Sequence, residues 1–126
     1  MDINKITSEI VLAAIRVHQQ LGPGLLESVY QRCLAVELTE RKILFEQECP
    51  VPICYRGQDI SEEGFRLDML VADQVVVELK SVERLQPIHF KQTLTYLRLT
   101  NKPLGLLINF NVTLLKDGIR RIANNL

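Results

Sequence analysis

The stretch FRLDMLVADQVVVELK, residues 65–80, decides how this chain is read. Apolar and polar residues alternate in both halves around a polar middle, the pattern of two strands joined by a tight turn. In 65–71 one face carries Phe65, Leu67, Met69 and Val71, and the other carries Arg66, Asp68 and Leu70. In 75–80 one face carries Val75, Val77 and Leu79, and the other Val76, Glu78 and Lys80. Residues opposite one another in an antiparallel ladder point to the same face. A loop of Ala72, Asp73 and Gln74 sets Val71 against Val75, Met69 against Val77 and Leu67 against Leu79, so every apolar pair matches. A two-residue loop would slip the register by one and set Asp68 against Leu79, which burial opposes.

The matched register puts Asp68 directly across from Glu78, and Arg66 across from Lys80. Like charges facing each other on a sheet are unfavourable. A divalent cation between them would remove the repulsion, and hard carboxylate oxygens suit Mg²⁺ or Mn²⁺. The same four residues also fit a plainer arrangement, a solvated sheet face on which Asp68 and Glu78 pair with Arg66 and Lys80.

Upstream, Ile6, Ile10, Ala13, Val17 and Leu21 step by three or four residues and predict an amphipathic helix, stopped by Gly22-Pro23-Gly24. A second helix is expected over residues 25–42, with Val29, Cys33 and Val36 on one stripe and Tyr30, Leu34 and Leu38 on the next. The short turn between the two helices predicts a hairpin. Residues 45–55 mix β-formers with Pro50 and Pro52, so this strand belongs at an edge or carries a break. Arg56-Gly57-Gln58-Asp59 reads as a turn. Downstream, Pro87 opens a third helix to about Asn101, with Phe90, Leu94 and Leu97 as its core stripe. Residues 104–110 form a buried strand, and 118–122 add a short one after an Asp117-Gly118 turn. The order ααβββαβ, with that short last strand, implies an α/β fold: a mixed sheet flanked by helices.

Composition narrows the function classes. The 126 residues suit one domain spanning 1–126, and 47% hydrophobic residues suffice for a core. No apolar run reaches the roughly 20 residues of a membrane span, and Met1 to Lys5 lacks a signal-peptide pattern, so a cytoplasmic protein with no membrane partner is expected. Cys33, Cys49 and Cys54 show no metal-ligand spacing and read as reduced thiols, which disfavours a zinc module. A net charge of +0 argues against a general nucleic-acid coat protein. It leaves room for a nuclease, because bound divalent metals offset clustered carboxylates.

Asp68 followed by Glu78-Leu79-Lys80 resembles the D…(D/E)xK signature of the PD-(D/E)XK nuclease superfamily. Gly24-Leu25-Leu26-Glu27-Ser28-Val29-Tyr30 matches the motif that names the GxxExxY group within it. Gln92-Thr93-Leu94-Thr95-Tyr96 looks like the QxxxY element on the helix after the ExK strand. Leu107-Ile108-Asn109-Phe110 and Asp117-Gly118-Ile119-Arg120-Arg121 look like the C-terminal end of that group. The resemblance implies a restriction-endonuclease-like core and cleavage of DNA or RNA phosphodiesters with Mg²⁺ or Mn²⁺. Asp68 and Glu78 would be metal ligands, and Glu27 an added carboxylate. Lys80 would steady water or phosphate charge, with Gln92 and Tyr96 beside it. Tyr30 reads as packing, His18 and His89 carry no assigned role, and Arg66, Arg84, Lys91 and Arg98 are equally backbone contacts or solvated charges. The rival expectation is an inactive nuclease-like fold serving as a binding or assembly module. A homodimer would enlarge the surface available to a duplex.

Overall fold

The computed structural model describes residues 1–62 and 64–125. Helix α1 (Ile3–Leu21) starts at Asp2, whose carboxylate accepts a hydrogen bond from the Lys5 amide at 3.0 Å, and ends at Gly22. Helix α2 (Glu27–Glu40) is shorter at both ends than the sequence suggests. It buries Tyr30, Leu34 and Leu38, while of the other stripe Val29 and Cys33 are half-buried and Val36 faces solvent. Arg41 bridges to Glu9 at 2.8 Å and ties the expected helical hairpin together.

Five strands form a mixed sheet in the order β1 (Phe45–Pro50), β4 (Arg66–Val71), β5 (Val75–Lys80), β6 (Leu104–Asn109) and β7 (Ile119–Ala123). Strand β1 (Phe45–Pro50) lies at one edge and stops at its proline. The expected strand over 45–55 is therefore broken: β2 (Cys54–Tyr55) and β3 (Gln58–Asp59) pair separately as a small ribbon. Its turn is only Arg56-Gly57, both at positive φ, as a tight hairpin requires, so Gln58 and Asp59 belong to a strand and not to the turn.

Strands β4 (Arg66–Val71) and β5 (Val75–Lys80) pair in the register that apolar matching predicts: Val71 with Val75, Leu70 with Val76, Met69 with Val77. The loop is Ala72-Asp73-Gln74, with Ala72 and Asp73 in the left-handed region. Helix α3 (Pro87–Thr100) crosses over to β6 (Leu104–Asn109), which runs parallel to β5 and is buried throughout. A short 3-10 turn (Leu115–Gly118) leads into β7 (Ile119–Ala123), the other edge.

One sheet face packs on α1 and α2 through Met69, Val71, Val75, Val77 and Leu79. The second core joins Leu70, Val76, Tyr96 and Leu97, and it also contains Leu67. Alternation had placed Leu67 with Met69, so the strand's regular facing breaks at Asp68 between them. Helix α3 buries Thr93, Tyr96 and Leu97, whereas Phe90 and Leu94 of the expected stripe are only half-buried. Gly105 explains this rotation. A Cβ there would sit 3.1 Å from Thr93 Cγ2 and 3.4 Å from a Leu97 methyl, so glycine lets that helix face settle on β6.

Candidate functional site

The β4–β5 ladder continues as a regular pairing only as far as Met69 and Val77. At the next step the two acidic side chains lock the strands together. The Asp68 amide donates to Glu78 Oε2 at 2.8 Å, and the Leu79 amide donates to Asp68 Oδ2 at 2.8 Å. Each carboxylate thus spends one oxygen on the opposite strand. Among the described residues, Asp68 Oδ1 and Glu78 Oε1 accept no hydrogen bond, so each carboxylate keeps one oxygen uncommitted.

Glu78 is 4% exposed and no cation lies within ion-pair distance of it among the described residues. The solvated charge face that the sequence also allowed is therefore absent. Burial, with the Asp68 charge second, pushes the Glu78 carboxyl up to about 8. Burial raises Asp68 too, with the Glu48 and Glu27 charges adding to it, against the Leu79 amide and the Lys80 charge. A desolvated carboxylate with no full partner takes up a proton or a cation.

Lys80 is half-buried at the end of β5, and its charge favours the ionised form of both acids. Its exit from the strand is fixed on the β6 side. The Phe110 amide donates to the Lys80 carbonyl at 2.9 Å, and the buried Asn109 amide clamps Val82, donating to its carbonyl at 2.9 Å and accepting from its N–H at 3.1 Å. Between these clamps the Ser81 N–H points to Glu27 Oε2 at 3.4 Å, and the Ser81 hydroxyl donates to the Leu25 carbonyl at 2.6 Å.

Glu27 is the first residue of α2, where the helix dipole favours an acid. The loop before it is tied by Tyr30. The phenol donates to the Gly22 carbonyl at 2.6 Å and accepts from the Leu25 amide at 3.1 Å, while its ring stacks on Phe110 at 4.4 Å. Gly24, at φ 100°, takes a backbone conformation that side chains resist. The spacing of Gly24, Glu27 and Tyr30 therefore has a local physical reason: a glycine turn, a tyrosine that ties it, and a carboxylate presented at the helix start.

Tyr96 is buried beneath the pair. Desolvation raises its phenol, and the Glu78 and Asp68 charges raise it further. Gln92, one turn earlier, is half-buried, and its side chain makes no hydrogen bond among the described residues. Arg66 donates to the Glu48 carbonyl at 3.1 Å. Arg84, Lys91 and Arg98 are exposed. His18 contacts the Val112 carbonyl at 2.8 Å and His89 caps α3 through Gln86, both structural uses.

Two residues of the site belong to none of the motifs read from the sequence. Glu48 lies opposite Asp68 in the β1–β4 register, between the pairs Gln47–Met69 and Cys49–Leu67, and has φ 54°. Gln31 of α2 donates to Glu48 Oε2 at 3.1 Å and to the Asp68 carbonyl at 3.2 Å. Glu27, Ser28, Gln31, Arg32, Glu48 and Asp68 line one open cleft. The helical spacing of Glu27 and Gln31 was a usable clue to the second residue. Glu48 needed the β1–β4 pairing, which joins strands far apart in sequence.

The donors are all hard oxygens. Among the described residues, no three His, Cys, Asp or Glu side chains gather closely enough to enclose a metal, and the three cysteines are free. The expected trio of Asp68, Glu78 and Glu27 is therefore not drawn together as three metal ligands. The remaining donor set, two carboxylates, suits an ion of the Mg²⁺ kind, which takes its other ligands from water and phosphate. It does not fit a structural zinc site.

A family model of the PD-(D/E)XK nuclease superfamily matches residues 4–122. The chain belongs to that superfamily. Its five-stranded mixed sheet with flanking helices is the restriction-endonuclease-like fold. Neither the curated proteins nor the solved structures give a significant match. The superfamily is one of nucleases, whose members generally use divalent metals and act on nucleic acid. Among the described residues, no helix is long and apolar enough to cross a membrane.

Proposed function

We propose that this PD-(D/E)XK chain is a divalent-metal-dependent nuclease of the GxxExxY kind, hydrolysing phosphodiester bonds in DNA or RNA. The observation that carries the reading is the interlocked Asp68–Glu78 pair, with one oxygen of each left uncommitted beside a buried, cation-starved carboxyl. Asp68 and Glu78 would hold Mg²⁺ or Mn²⁺, with Glu27 at the rim. When bound, the ion supplies Lewis-acid polarisation of the phosphate and a more acidic water. Lys80 steadies negative charge on the phosphate and orients the attacking water. Tyr96 supports the pair from below, and Gln92 offers an amide toward Lys80 or a phosphate. We take the whole chain as one such domain.

A second reading keeps the fold as a binding or assembly module with inactive carboxylates. The net charge of +0 favours it, because few positive charges are in excess to hold a polyanion. The two separate by calorimetry and cleavage. Wild type should bind Mn²⁺ saturably and cut nucleic acid only with metal, and Asp68→Asn should lose both while keeping its fold. An Asp68→Asn protein that cuts as fast as wild type removes the nuclease reading at this site.

A further inference from the structure

Gln31 belongs to no motif, yet it contacts the candidate site from a third element. It follows Glu27 by four residues on α2, so both project from one helix face. Its amide nitrogen has acceptors on two strands: the Asp68 carbonyl at 3.2 Å, Glu48 Oε2 at 3.1 Å and Gln47 Oε1 at 3.2 Å. Glu48 and Asp68 lie where β1 and β4 face each other without a regular pair, next to the Gln47–Met69 pair. Glu48 holds a left-handed backbone there, a conformation that persists only when its surroundings enforce it. Asp68 is gripped at both backbone groups, its N–H by Glu78 Oε2 and its carbonyl by Gln31.

We propose that Gln31 is a positioning residue for the carboxylate pair. By holding the Asp68 carbonyl and the Glu48 carboxylate together, it fixes the distance from α2 to the open end of the β4–β5 hairpin. It thereby aims the Asp68 side chain at the metal. This inference rests on the nuclease reading above. Gln31 touches no reacting atom in this role. It acts through Asp68, and through the shared helix face it sets Glu27 relative to Asp68.

The test uses Gln31→Met, which keeps length and removes both N–H donors, and Gln31→Glu, which removes the donors and adds a charge facing Glu48. Amide exchange at Asp68 and Leu79 is read by NMR in EDTA, with Leu34 in α2 as internal reference. Mn²⁺ affinity, with inorganic phosphate present, is read by calorimetry. In Gln31→Met, exchange at Asp68 and Leu79 should rise about tenfold and Mn²⁺ affinity should fall about tenfold, the size of one hydrogen bond. Leu34 should be unchanged. Gln31→Glu should also bind Mn²⁺ more weakly. Unchanged exchange in Gln31→Met overturns the proposal, as does faster exchange with unaltered Mn²⁺ affinity, which would leave Gln31 a strand clip only. Tighter Mn²⁺ binding by Gln31→Glu overturns it as well, because position 31 would then act as a ligand. Failure of the nuclease reading shows separately, as a wild type that binds no Mn²⁺ before any variant is compared.

Discussion

Glu78→Gln should stabilise the metal-free protein. The unfolded chain releases this proton near 4.5, whereas the folded chain holds it to about 8. Folding therefore binds a proton between those values. The stability this group contributes is complete below pH 4.5 and is lost as pH rises through the window to about 8. At about 1.4 kcal/mol per pH unit, the contribution of this one group should be smaller at pH 7 than in acid by about 3 kcal/mol. The uncharged amide that replaces the carboxyl carries no such term, and its oxygen can still accept the Asp68 N–H that Glu78 accepts at 2.8 Å. For a chain of this length that difference is roughly 10 °C in midpoint. Thermal unfolding followed by circular dichroism from about pH 4.5 to 8.5 in EDTA gives the comparison. The two midpoints should diverge steadily with pH, Glu78→Gln above wild type, and millimolar Mn²⁺ should raise wild type alone. A wild-type curve that stays level between about pH 5 and 8, or a Glu78→Gln protein no more stable at pH 8, would show that Glu78 ionises as an ordinary surface acid and that the pair has no unmet need for a cation.

On the proposed nuclease reading, Lys80→Met should cut kcat by about 100-fold or more in steady-state cleavage assays, because it removes the charge assigned to the developing phosphate, while Mn²⁺ affinity by calorimetry holds or improves. Tyr30→Phe keeps the stack on Phe110 but loses the bonds to Gly22 and Leu25, so urea unfolding should show a loss of about 1–2 kcal/mol and Mn²⁺ binding should weaken if Glu27 contributes. Gly118→Ala should cost more than Gly105→Ala, roughly 3 against 1 kcal/mol: the first drives a Cβ into the Asn109 carbonyl oxygen, whereas the second meets a flexible Thr93 methyl at 3.1 Å. The opposite order in unfolding experiments would show that the Asn109 backbone yields easily.

The hairpin was legible because apolar matching leaves one register for β4 and β5, and the structure uses it. The side-chain lock between Asp68 and Glu78 was not, because pairing rules place residues opposite each other without saying where a ladder opens. Leu67 illustrates the same limit. Strict alternation sends it to the Met69 face, yet it packs with Val51 and Tyr96, because the strand's facing breaks at Asp68. The rotation of α3 away from Phe90 and Leu94 depends on Gly105, a residue whose effect is visible only once helix and strand are in contact. Glu27, Tyr30 and the ExK strand end stood out through their resemblance to the superfamily's motifs. Gln31 and Glu48 are ordinary polar residues until β1 is laid against β4.

The left-handed residue in β1 also interrupts the outer rim of the sheet. An edge strand with an unbroken row of open amide and carbonyl groups invites another chain to add itself. Here Glu48, at φ 54°, turns the row aside at mid-strand, and Pro50 withholds a donor at its end. At the far rim β7 presents Arg120 and Arg121 in succession, a charged strand that disfavours a neighbouring copy. The bend that brings Glu48 to the cleft thus also guards the domain against strand-to-strand aggregation at high concentration.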